Sequence, residues 1–218
     1  MKTITAIGAQ KKNPNRVNIY LDGEFAFALA RVVAAWLTTG QALDDEKIAA
    51  LQAEDARERA YQQAMLYLSY RARSEAEIRK NLIKHEIPEV VIEETLERLR
   101  QARLADDNGF AQAWVENRST FRPRSRRALT AELRQKGLDD QTVRSAVAGV
   151  DEQALALEAA RKRTARLEGL EWIEFRKKLS DFLARRGFAY EIIGPTVRGL
   201  WQELHAGQEH SIEDEEIS

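Results

Sequence analysis

Four arginines crowd around a proline in the stretch Phe121 to Arg127, FRPRSRR, the densest concentration of potential chemistry in this chain. A guanidinium is planar, always charged and donates through a rigid fork, so arginines at this density suit phosphates or carboxylates, which they bond bidentately. Arg122, Arg124, Arg126 and Arg127 belong to a wider segment, Arg118 to Lys136, that sets seven basic residues against Glu132 alone. Arg127 and Arg134 are seven residues apart and share a helix face turned away from Leu129 and Leu133. A second basic segment, Arg161 to Arg186, carries nine basic residues against four acidic ones, with Arg161, Lys162, Arg163 and Arg166 at its start. These residues are the candidate contacts for a partner protein or for DNA. The alternative stays open that the run is a solvated face pairing with acidic helices such as Glu89 to Glu97.

Catalytic groupings do not emerge. His85, His205 and His210 are the only histidines, cysteine is absent, and there is neither a Gly-rich phosphate loop nor a metal-ligand spacing. The carboxylate pairs Asp106-Asp107 and Asp139-Asp140 each stand just before an expected helix, where aspartate serves as the N-cap. No catalytic residue, metal or cofactor is therefore expected. Without cysteine or an 18-residue apolar run, disulfides, thiolate metal sites and a membrane helix are excluded, and MKTITAIGAQKK lacks the apolar core of a signal peptide. A cytoplasmic monomer is expected. Lysine plus arginine (34) nearly balance aspartate plus glutamate (35), so the partner question rests on where the charge sits rather than on its sum.

The elements that must mount those arginines are legible as a repeat. The apolar positions Ile78, Leu82, Ile87, Ile92, Leu96 and Leu99, advanced by 51 residues, become Leu129, Leu133, Leu138, Val143, Val147 and Val150. Advanced by 50 more, they become Leu179, Leu183, Phe188, Ile193, Val197 and Leu200. The spacing describes one helix with a buried face, a short connection and a second helix. Ser74 with Glu77 forms a capping box at the start, and Gly137 and Gly187 stand where a left-handed C-terminal cap belongs, with Glu86 in that place in the first copy. Pro88 opens the next helix of the first copy, whereas Gly194-Pro195 in the third predicts a kink or late start. Leading helices over about 45–70, 108–118 and 152–167 make three helices per unit, and Phe110 and Trp114 share a face of the second.

Ahead of the repeats, Asp22-Gly23 marks a type I′ hairpin turn. Pairing across it sets Leu21 opposite Glu24, Tyr20 opposite Phe25 and Asn18 opposite Phe27, with the aromatics on one face, packing on the following helix, and Val17, Ile19 and Leu21 on the other. Thr3 to Ala9 supplies a third strand, and Arg31 to Leu37 a short helix stopped near Gly40. The fold class expected is mainly α: three tandem three-helix repeats in an elongated curved array, preceded by a small β-hairpin or three-stranded element. The divisions are 1–30 for the hairpin extension, 31–102 for the linker helix and repeat one, 103–150 for repeat two, 151–204 for repeat three and 205–218 for an acidic disordered tail. A helix-turn-helix DNA reader is disfavoured, because its recognition helix in the first unit would carry Glu89, Glu93, Glu94 and Glu97 toward phosphate.

The chain resembles the RecX family, the regulators of RecA recombinase, through RARSEAEIRKNL, LADDNGFAQAWVENRSTFRPRSRRALTAELRQKGL and LARRGFAYEII in that order. The resemblance implies tandem three-helix repeats and a protein that lies in the groove of the RecA filament on DNA and inhibits its activities. Some members carry an N-terminal hairpin, and the Gly194-Pro195 pair departs from the family's continuous last helix. The expected function is thus a non-enzymatic modulator of the RecA filament, possessing basic segments for acidic protein surface or DNA phosphates. The alternatives are an autonomous DNA-binding protein and a scaffold that binds only protein.

Overall fold

In the computed structural model residues 1–213 are described, and they fall into two compact units, Met1–Ala105 and a second beginning at Asp106. The first unit opens with an antiparallel sheet of β1 (Lys2–Ala9), β2 (Arg16–Leu21), β3 (Glu24–Ala30) and β4 (Ala42–Leu43), in the order β3-β2-β1-β4. Asp22 and Gly23 both have positive φ, 52° and 91°, as the type I′ turn requires. The expected pairing holds for Leu21 with Glu24 and Tyr20 with Phe25, but a bulge then shifts the register so that Ile19, not Asn18, faces Phe27. The aromatics are split as a result. Phe27 packs on the buried cluster with Ile19 and Leu29, while Tyr20 and Phe25 meet edge to face at 6.0 Å on the other face, Phe25 being 59% exposed.

The expected helix over Arg31 to Leu37 is instead a series of turns: the N–H groups of Val33 and Ala34 both donate to Ala30 O, and Leu37 N–H donates to Ala34 O. So short a segment gains too few bonds to offset helix nucleation, and burying Val33, Ala34 and Leu37 in the sheet's core fixes it better. Asp44 then caps α1 (Asp45–Ser69), accepting from Lys47 N–H at 2.8 Å. This helix is fastened to the sheet by Asp55, which receives both ends of the Arg16 fork at 3.0 and 3.2 Å and the Ala30 N–H at 2.5 Å.

Repeat one is completed by α2 (Glu75–Lys84) and α3 (Glu89–Gln101). The second unit holds repeat two, α4 (Asp107–Phe121), α5 (Arg126–Gln135) and α6 (Asp140–Val147), and repeat three, α7 (Glu152–Thr164), α8 (Trp172–Ala184) and α9 (Tyr190–Glu213). Of the eighteen skeleton positions all are buried except Ile87, which is half-buried against the same cluster. Asp106 and Asp139 are N-caps, accepting from Gly109 N–H and from the N–H groups of Gln141 and Thr142. The Thr142 N–H and hydroxyl hold the Asp139 carboxyl below its usual pKa.

Each α2-like helix ends in the same pair of bonds. Ile87, Leu138 and Phe188 N–H donate back to Leu82, Leu133 and Leu183 O, and Glu86, Gly137 and Gly187 N–H to Ile83, Arg134 and Ala184 O. These are Schellman caps, with φ of 58°, 84° and 88° at the left-handed residue. Glu86 shows that the turn tolerates a side chain, but at Gly187 an added Cβ would lie 2.6 Å from Ser125 Oγ and 3.0 Å from Ala128 Cβ of repeat two. Gly187→Ala is therefore expected to destabilise by about 2 kcal/mol through left-handed strain and the clash together. Urea denaturation checks it, and an unchanged midpoint would show that repeat three does not seat its turn against Ser125.

The third copy is the least regular. Ser74 and Ser125, both fully buried, cap α2 and α5, whereas the matching position in repeat three is Phe175, and α8 starts about one turn earlier, at Trp172. Pro195 lies inside α9, which starts at Tyr190, so the late start is not seen. Nor does the helix end at Leu204, where the acidic tail was expected to begin: it runs on to Glu213, an established helix adding residues without needing an apolar face. Residues 214–218 of that expected tail lie outside the described residues.

Candidate functional site: a basic junction between repeats two and three

Glu132, the lone acid of the basic segment, organises its beginning. Its Oε2 accepts from Trp114 Nε1 at 2.8 Å and from Arg118 Nε at 2.7 Å, and its Oε1 lies 3.0 Å from Arg124 Nε. Arg118 and Lys136 also sit over the Trp114 ring, at 4.5 and 4.9 Å, so both are tied into repeat two. The chain leaves α4 at Arg122, buries Pro123 and re-enters helix at Ser125, whose Oγ accepts from Ala128 N–H at 3.1 Å.

That lead-in is fastened to repeat three from both sides. Ser125 N–H donates to Arg186 O at 3.1 Å, and Arg186 Nη1 donates to Pro123 O at 3.2 Å. Lys162 Nζ reaches Thr120 O at 2.7 Å, while Arg126 donates its N–H to Glu152 and its Nη2 to Val150 O at 2.7 Å. In the first unit, Glu89, Glu93, Glu94 and Glu97 pair with Arg79, Arg57 and Arg100 of their own repeat or its leading helix.

Of the candidate residues, Arg126, Arg127 and Arg134 line one shallow groove of about 490 Å³ with Thr130 and Glu152. Arg134 is ion-paired there with Asp140 at 2.9 Å, and Arg122 and Arg127 stand exposed with no side-chain bond to a described residue. In repeat three the candidates disperse. Arg161 pairs with Glu203 at 3.4 Å, Lys162 with Glu158 at 3.0 Å, Arg163 sits over the Phe182 ring at 5.7 Å and Arg166 is exposed.

Sequence reasoning missed Arg186. It lies over Phe182 at 4.4 Å, and burial, then the neighbouring charges of Arg124 and Arg122, pushes its guanidinium below the usual arginine pKa. A signal was present: the 51- and 50-residue offsets that align the cores also align His85, Lys136 and Arg186, each one residue before the left-handed cap.

Fold and site together define a tandem-repeat protein of three-helix units behind a small sheet, with a cluster of arginines where repeats two and three meet. Family models cover the same divisions: the regulatory protein RecX N-terminal domain matches residues 2–44, and the first, second and third RecX three-helix domains match 60–99, 106–147 and 151–194. A regulatory protein RecX from Bacillus pumilus is 36% identical over the whole of this chain and 83% of its own length, and one from Thermobifida fusca is 38% identical over 70% of this chain and 83% of its own. A crystal structure of regulatory protein RecX superposes with a TM-score of 0.68 at 31% identity, covering 88% of this chain and 97% of that one. The RecX from Lactobacillus salivarius shares the fold, with a TM-score of 0.59 at 24% identity over 70% of this chain and 99% of its own. The chain belongs to the RecX family of regulatory proteins, which is not a known enzyme family. Among the described residues no helix is long and apolar enough to cross a membrane.

Proposed function

We propose that this protein is a cytoplasmic, non-enzymatic modulator that binds the RecA–DNA filament and inhibits its ATPase, strand exchange and extension, acting in recombination, DNA repair and the SOS response. The observation that carries the reading is the rigid mount of the FRPRSRR lead-in: Pro123 and Ser125 are buried and bonded to repeat three, while Arg122 and Arg127 project without side-chain partners among the described residues. Holding long side chains on a fixed base reduces the entropy lost when they bind. Arg124 pairs with Glu132 and Arg126 holds Val150 O, so removing them mixes folding with function.

The test is RecA's DNA-dependent ATPase in the presence of wild type, Arg122→Ala/Arg127→Ala, and Arg161→Ala/Arg166→Ala as the matched pair from repeat three. The repeat-two pair should weaken inhibition about tenfold or more, two charge-assisted contacts being worth about 1.5–3 kcal/mol each, and added salt should imitate it. Inhibition abolished only in the repeat-three pair would move the surface to α7. Inhibition kept by both would leave the basic segments as solvated faces.

A further inference from the structure

The Pro123 carbonyl that accepts from Arg186 Nη1 at 3.2 Å lies in the chain between Arg122 and Arg124, whose charges act on the Arg186 guanidinium across the seam between two repeats. A fourth, Arg163, shares the Phe182 ring with Arg186. Among the described residues only Glu132 is ion-paired with any of the four, and that carboxylate already holds Trp114 and Arg118. The Nε atoms of Arg124, Arg163 and Arg186 are buried without a hydrogen bond, Arg124 approaching Glu132 without aiming its N–H at it. Buried donors left unmade are costly, and like charges held together repel. An anion held by the outer nitrogens of these guanidiniums offsets the repulsion.

We propose that Arg122, Arg124, Arg163 and Arg186 form a binding site for a backbone phosphate of a nucleic-acid strand, and that the bound phosphate braces repeat two against repeat three. A phosphodiester suits the cluster because its two non-bridging oxygens share one fixed negative charge and each accepts from more than one guanidinium. The filament reading supplies only the identity of the strand; the site stands on the geometry. The expected consequence is that DNA binding and stiffness of the junction are coupled, since the Ser125 N–H to Arg186 O bond spans the same seam.

Binding of a labelled oligothymidylate to the full chain, with RecA absent, tests the site. Arg186→Gln should weaken it about tenfold and reduce the salt slope by about 0.7 for each phosphate no longer neutralised. Arg144→Gln, which removes an exposed charge from α6, should change affinity by less than about twofold. If Arg186→Gln melts early, Arg122→Gln carries the same expectation, since the Arg122 side chain makes no bond to a described residue. Saturating oligothymidylate should also slow exchange of the Ser125 amide proton in wild type. Equal affinities for Arg186→Gln, Arg122→Gln and Arg144→Gln would overturn the site, and unchanged Ser125 exchange would overturn the bracing. If these variants no longer inhibited RecA yet kept oligothymidylate binding, the arginines would be meeting protein carboxylate; the phosphate site would fail and the filament reading would stand.

Discussion

Phe175→Ala is expected to destabilise the second unit by about 3–5 kcal/mol, the range for emptying a fully buried phenylalanine site. The side chain is 0% exposed and packs on Trp201 with ring centroids 5.1 Å apart. Removing it leaves a cavity among Ala156, Leu179, Leu183 and Val197, which are helix-borne and poorly able to close it. The Trp201 ring is also deprived of an aromatic neighbour worth about 0.5–1.5 kcal/mol beyond area. Chemical denaturation followed by tryptophan fluorescence reads both, because Trp201 reports from the cavity wall. A loss below about 1 kcal/mol would mean that repeat three is not packed around this residue.

Asp55→Ala should cost about 3 kcal/mol in the first unit, because removing one partner of a buried pair strands the other. Asp55 is 6% exposed and binds the Arg16 fork and the Ala30 N–H, so the variant leaves a mostly covered guanidinium and a buried amide proton without an acceptor. Arg16 keeps its bond to Ala28 O at 2.9 Å, which limits the loss. The decisive comparison is Arg16→Met/Asp55→Leu, which removes both charges and should recover most of the stability. If the double variant is as unstable as Asp55→Ala, the stranded Arg16 charge is not the source of the loss.

What could be read in advance was whatever chemistry is local or recurs. The core positions of the repeats were legible because 51- and 50-residue offsets return an apolar residue each time, and the caps because Asp106, Asp139 and Ser74 act on N–H groups two or three residues away. The bulge in β3 was not, since nothing in YLDGEFAF distinguishes a regular pairing from one that skips Ala26. The turns at Arg31–Leu37 depended on burial against the sheet, which no window of seven residues contains. Arg186 was hidden for a similar reason: its neighbours Arg122 and Arg124 are brought to it by the seating of one repeat on another.

Three units with aligned apolar skeletons carry a hazard during folding, because a helix of one copy presents the same buried spacing as its counterpart in the next. The mismatch at a single aligned place works against such exchange. Ser125 and Phe175 occupy equivalent positions, both fully buried, one small and satisfied by Ala128 N–H, the other filling a large apolar site. If α8 took the place of α5, a benzyl group would meet a space shaped for a hydroxyl; in the reverse exchange, the serine would keep its own Ala128 N–H but leave the phenyl site empty. Domain swapping within the second unit is thereby penalised from both directions, and the irregularity of the third copy acts as an address that keeps each helix in its own repeat.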